Sequence, residues 1–169
     1  MASAVSVSGL RTREDDLKAA LVMSFARFTN WPSASLETPL TIGVLGDDGL
    51  LEALGRITAG KSIQGRVIQV RSPRSAGELR SFQMLYAGTL EKKKLKEYLA
   101  AAREGAVLTM GESPRFLPAG GIVRLFEEDG HLSFEVNLSA LSQAGLDISS
   151  KLLRLGYTIR DPASVRQKP

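Results

Sequence analysis

Four short apolar runs, set off by turn residues and separated by segments of helical character, limit what this chain can fold into. They are Thr41-Ile42-Gly43-Val44-Leu45, Val67-Ile68-Gln69-Val70, Phe82-Gln83-Met84-Leu85-Tyr86-Ala87 and Val107-Leu108-Thr109-Met110. Runs this short and this apolar are the size of buried strands. Gly46-Asp47-Asp48-Gly49 follows the first run as a turn and helix start, with Leu50, Leu51 and Leu54 on the helix's inner face. A loop from Gly60 to Gly65 precedes the second run, and a short helix over Ala76 to Arg80 follows it. Leu90 to Arg103 is strongly helical and joins the third run to the fourth. Strands alternating with helices demand right-handed βαβ units, which predicts an α/β fold with a mostly parallel sheet and helices on both faces.

The alternation stops after Gly111. Ile122 to Glu127 and His131 to Val136 are strand-like and are joined through Glu128-Asp129-Gly130. Asp-Gly between two such runs predicts an antiparallel hairpin, expected at the C-terminal edge of the sheet. Leu138 to Ala144 then reads as a short helix ended by Gly145, and Ser149 as the cap of a last helix from Ser150 to about Leu155. Ahead of the sheet, Leu17, Ala20, Leu21, Ser24, Phe25 and Phe28 recur at helical steps between Arg13 and Phe28. Thr12 with Asp15 forms a capping-box variant. Trp31 precedes Pro32, so the helix should stop near Asn30. A chain of 169 residues suits one domain of this kind. It is expected over 13–160 in a single-domain sandwich, between a disordered tail at 1–12 and a polar tail at 161–169.

Composition removes several kinds of chemistry. There is no cysteine, hence no disulfide, no thiolate nucleophile and no cysteine-bearing zinc site. His131 is the one histidine, it follows a hairpin turn, and no Gly-x-Ser-x-Gly elbow supplies a nucleophile. It reads as an exposed strand residue. Glu127, Glu128 and Asp129 are adjacent, but strand alternation sends the two glutamates to opposite faces and no EF-hand spacing exists. No catalytic residue, cofactor or metal ligand is therefore assigned. A net charge of +4 with 6% aromatic residues does not make a nucleic-acid face. Lys92-Lys93-Lys94 with Lys96 is a solvated helix face or a contact for acidic lipid or protein. Gly46-Asp47-Asp48-Gly49 stands where doubly wound folds hold ligands, yet it is neither a dinucleotide fingerprint nor a P-loop. It reads as turn and cap. No run of eighteen apolar residues exists to span a membrane, and the N-terminus has no intact signal-peptide pattern.

Two features stay open. Glu135 shares a strand face with Ser133 and Asn137, and can pair with Arg27 or Arg154 or line a pocket. Phe25, Phe28 and Trp31-Pro32 form an aromatic cluster, either core or an exposed rim that anchors a partner, with Trp31 the residue most suited to the rim.

Three separated stretches together resemble the YfiR-like family of bacterial periplasmic domains. The first is Lys18-Ala19-Ala20 with Phe25-Ala26-Arg27-Phe28-Thr29-Asn30-Trp31-Pro32 and Ile42-Gly43-Val44-Leu45-Gly46. The second is Gly111-Glu112-Ser113-Pro114-Arg115-Phe116 with Gly120-Gly121-Ile122. The third is Phe134-Glu135-Val136-Asn137 with Ile148-Ser149-Ser150-Lys151-Leu152-Leu153-Arg154-Leu155. The resemblance implies a periplasmic, non-enzymatic α/β regulator. It would bind and repress the periplasmic part of an inner-membrane diguanylate cyclase, controlling cyclic-di-GMP and biofilm formation, with an outer-membrane lipoprotein relieving the repression. The family's thiol-redox sensing cannot carry over to a chain without cysteine. A regulator without catalytic groups acts through an interface, and Phe28, Trp31, Pro32, Ile148, Lys151, Leu152 and Leu155 lie on the most apolar edges expected to be ordered. A homodimer is open too. The competing expectation is a small-ligand sensory module, with Gly111, Pro114, Phe116, Gly120, Gly121, Glu135 and Asn137 framing a pocket at the strand ends.

Overall fold

The computed structural model describes residues 7–32, 38–161 and 167, with side chains from residue 13 onward. Helix α1 (Val7–Phe28) and the two-residue strand β1 (Thr29–Asn30) come first. Strand β2 (Leu40–Leu45) leads into α2 (Asp48–Thr58), the hairpin β3 (Ser62–Ile63) and β4 (Arg66–Arg71), a 3-10 turn (Ala76–Ser81) and β5 (Met84–Ala87). After α3 (Lys92–Glu104) and β6 (Leu108–Gly111) come β7 (Val123–Glu128), β8 (His131–Asn137) and α4 (Leu138–Gln143). Then follow β9 (Asp147–Ile148), α5 (Ser150–Leu153) and β10 (Tyr157–Ile159).

The main sheet runs β10-β8-β7-β6-β5-β2-β4-β3. Its five central strands, β7, β6, β5, β2 and β4, are mutually parallel. Every residue of β2, β5 and β6 is buried, which is why these segments read as unbroken apolar runs. Their alternation feeds two cores. Leu40, Ile42, Val44, Met84, Tyr86, Leu108 and Met110 pack with Val22 and Phe25 of α1 and Leu50 and Leu54 of α2. Leu45 and Leu85 face the other way, onto Leu79, Phe82 and Tyr98. Ala87 on that same side meets Leu95, Leu99 and Phe116. The fold class is thus the expected α/β arrangement, a mostly parallel sheet with helices on both faces and an antiparallel hairpin.

Several boundaries differ, each for a physical reason. Helix α1 begins at Val7 rather than Arg13, so Thr12 lies inside it instead of opening it. No proline interrupts 7–13, so a helix docked through its later turns can propagate backwards. Its end at Phe28 comes earlier than expected, because Thr29 and Asn30 pair antiparallel with Ile148 and Asp147. The hairpin β7–β8 is not the sheet edge, since β10 adds parallel to β8 outside it. Three residues of strand are too few to leave a period in the sequence. The Gly60–Gly65 loop carries a second hairpin, β3–β4. Its Gln64 and Gly65 have φ of 54° and 77°, nearly the 50° and 77° of Asp129 and Gly130, the positive-φ pair that a two-residue hairpin turn requires. The last helix is a single turn, Ser150–Leu153, with Ser149 accepting from the Lys151 amide. Of the expected tails, residues 1–6, 162–166, 168 and 169 lie outside the described residues. Gln167 exchanges two backbone hydrogen bonds of 2.8 Å with Thr158. Among the described residues no helix is long and apolar enough to cross a membrane.

Candidate functional site

The chain passes from β2 through α2 and β3 to β4, which pairs with β2 on one side, and then crosses back to β5, which pairs with it on the other. This reversal opens a crevice beyond the C-terminal ends of β2 and β5, the customary ligand position in doubly wound sheets. A cleft of about 680 Å3 occupies it, lined by Glu14, Asp15, Lys18, Asp47, Thr89 and Glu112 and by the backbone of Gly46 and Gly88. Lys18 reaches it from α1, on the same helical face as the buried Val22 and Phe25. Its ammonium is 3.0 Å from Glu112, 3.2 Å from Glu14 and 3.9 Å from Asp47. Burial pushes the Lys18 pKa down, but its bonds to Glu112 and Glu14 outweigh this, and the value ends above 10.5. The Tyr86 hydroxyl donates to Glu112 at 2.6 Å, and burial together with that carboxylate holds its pKa well above the ordinary phenol value. Desolvation, then the Asp47 charge, raises the Asp15 carboxyl. Asp47 also caps α2 by accepting from the Leu50 amide at 3.0 Å, so the expected turn and cap is there, set in a charged cleft.

Of the expected pocket, the space directly between Gly111 and Gly121 is filled by the loop's own Phe116, while Glu112, Ser113, Arg115, Pro118 and Ala119 of the same loop border open hollows. Phe116 is fully buried, and its ring occupies the space that a Cβ on Gly111 or Gly121 would need. Glu135 pairs with neither Arg27 nor Arg154. It faces Arg124, its cross-strand partner in register, at 3.1 Å. Asn137 accepts from the Ala140 amide at 3.1 Å as the cap of α4. Pro114 is exposed and Gly120 half-buried. His131 is exposed. Among the described residues no group of three or more His, Cys, Asp or Glu side chains is arranged to hold a metal ion.

The two segments expected to form an interface do meet. β1 pairs with β9, and the Ser149 amide donates to the Phe28 carbonyl at 2.8 Å, setting the end of α1 beside α5. Phe28 (41% exposed), Leu155 (70%), Lys151 and Pro32 face outward there. Ile148 and Leu152 are each only 3% exposed and belong to the core, so their side chains support this edge from beneath. Trp31 is half-buried, packs on the core and donates its indole N–H to the Gln83 carbonyl at 2.9 Å. It fastens the chain to β5's approach rather than offering a free rim.

Lys18, Tyr86 and Glu112 were not singled out as a cluster. The signal was faint: Lys18 adjoins the apolar arc read from the sequence, and the buried face is turned toward it, leaving Leu17 60% exposed.

A family model described as YfiR/HmsC-like matches residues 15–157. No curated protein matches the chain. Among solved structures, a conserved domain protein from Vibrio cholerae O1 biovar El Tor is similar at TM-score 0.54 and 12% identity. An ABC domain from Streptococcus pneumoniae, in complex with L-Trp, is similar at TM-score 0.51 and 9% identity. Both matches cover 85% of this chain but 59% of the other, so this chain spans well under two thirds of their length. Identities this low speak for the fold alone. The family match extends from α1 to the start of β10, across both the cleft and the α1–α5 edge, and the chain belongs to the YfiR/HmsC-like family of periplasmic regulatory domains.

Proposed function

We propose that this protein is a non-enzymatic periplasmic signalling regulator. It binds and represses the periplasmic part of an inner-membrane diguanylate cyclase, and so governs cyclic-di-GMP and biofilm output. An outer-membrane lipoprotein would compete for it. The observation that carries this reading is the edge where α1 meets α5, with Phe28 and Leu155 presenting apolar surface to solvent beside Lys151. Large apolar side chains left exposed on a built edge are characteristic of an interface.

The test is calorimetric titration against the periplasmic segment of such a cyclase from the same bacterium. Saturable binding, micromolar or tighter, is expected. Leu155→Asp should weaken it at least about tenfold, because a charge is set into an apolar contact. The same variant should melt where the wild type does, since Leu155 is 70% exposed. No binding between two folded proteins overturns the reading.

A further inference from the structure

A second hollow lies between the start of α3 and the loop that follows β6. It holds about 580 Å3, is floored by Leu90, Leu95, Pro118 and Ala119, and is flanked by Lys92, Lys96 and Arg115. The volume is that of a small-molecule site. Lys92, Lys96 and Arg115 are exposed, and among the described residues no salt bridge reaches any of them. Their surroundings add to the positive potential. Helix α3 opens with Lys92, Lys93 and Lys94, has no acidic residue in its first turn, and receives no side-chain hydrogen bond from Glu91 at its cap. Lysines at this end oppose the helix dipole, so an anion would offset an existing repulsion.

The groove asks for two properties in one molecule. A bare inorganic anion would leave Leu90, Leu95 and Pro118 wet, and a neutral hydrocarbon would leave three cations unmatched. Leu90 and Ser113 also line the acidic cleft, so Glu112 and Asp47 lie just beyond. Those carboxylates penalise an extended polyanion and favour a single, localised charge. We propose that this groove binds a small amphiphilic monocarboxylate. Its chain or ring covers the Leu90–Leu95–Pro118 floor, and its carboxylate sits among Lys92, Lys96 and Arg115, with Arg115 able to grip both oxygens. This site is independent of the partner-binding edge.

Calorimetric titration of the full chain with octanoate tests it, with octanamide and inorganic phosphate as controls and the double variant Lys96→Gln/Arg115→Gln for comparison. Both substituted positions are exposed, and circular dichroism checks that the fold persists. One octanoate per chain is expected, with affinity weaker by roughly tenfold or more for octanamide and for the double variant. The proposal is overturned by three outcomes: no octanoate binding at millimolar concentration, equal binding by the variant, or phosphate binding as tightly as octanoate. Attachment to phosphatidylglycerol vesicles without octanoate binding also overturns it, and assigns the lysines to a membrane surface.

Discussion

Lys18 keeps 7% of its surface exposed, so its charge must be compensated where it sits. Glu112 and Glu14 do this, and the folded-state pKa rises above 10.5. A raised pKa means that the ammonium's contribution is complete below pH 10.5 and is lost as the pH climbs through the folded value. Lys18→Met should therefore cost about 2 kcal/mol at neutral pH, between the values for exposed and buried pairs. Urea melts at pH 7 and pH 11 should show the gap between wild type and variant narrowing in alkali. A gap that stays constant would mean the ion pairs contribute nothing. Trp31 is the other informative residue. Its hydrogen bond to Gln83 and its packing on the core predict that Trp31→Ala lowers stability by about 2 kcal/mol, less than for a fully buried tryptophan. A denaturant midpoint that does not move would return Trp31 to the role of a free rim. Trp31 is conspicuous in the sequence as the sole tryptophan, whereas Lys18 lies beside the apolar arc read between Leu17 and Phe28, an arc whose Leu17 the structure leaves 60% exposed. Their partners were not legible, because Glu112 and Gln83 reach them only through the sheet.

At the scale of elements, the connection from β6 to β7 is the unusual piece. It joins parallel neighbours without a helix, and Phe116 with Leu117 fills the space between loop and sheet that a crossover helix covers elsewhere. The ring needs Gly111 and Gly121 beneath it. Gly121→Ala should displace it and cost about 1–3 kcal/mol by overpacking, read as a lower thermal midpoint. If the melt is unchanged, the ring is not held as described. The sequence marked these glycines and this phenylalanine as the frame of a pocket; the ring fills the space between the glycines, and the hollow beside the loop is bordered instead by Ser113, Arg115, Pro118 and Ala119. Spacing alone does not say whether a cavity between glycines is left empty or filled by a side chain from the same loop. Hairpins were more legible. Asp129-Gly130 carries its turn chemistry openly, whereas Gln64-Gly65 achieves the same backbone with a residue that seldom announces it.

For the molecule as a whole, the parallel strands at the middle of the sheet, packed between two helical layers, should form its most stable unit. Amide hydrogen exchange is expected to be slowest in β2, β5 and β6, where every residue is buried, and faster in β3 and β10 at the sheet's ends. Equal protection at the ends and the centre would contradict this. The layered α/β plan was already decided by the sequence, because strand length, apolar runs and helical periods are local properties that survive without any knowledge of neighbours. The family, too, was legible, through short motifs in a fixed order. Tertiary structure decided the rest. It alone brought the acids of α1, of the turn after β2 and of the loop after β6 around one lysine. It turned Ile148 and Leu152 inward while leaving Phe28 and Leu155 outside, and it gave Glu135 to Arg124. Charge pairing and burial depend on which distant segments the sheet order makes adjacent, and that order is a property of the packed chain, not of any stretch within it.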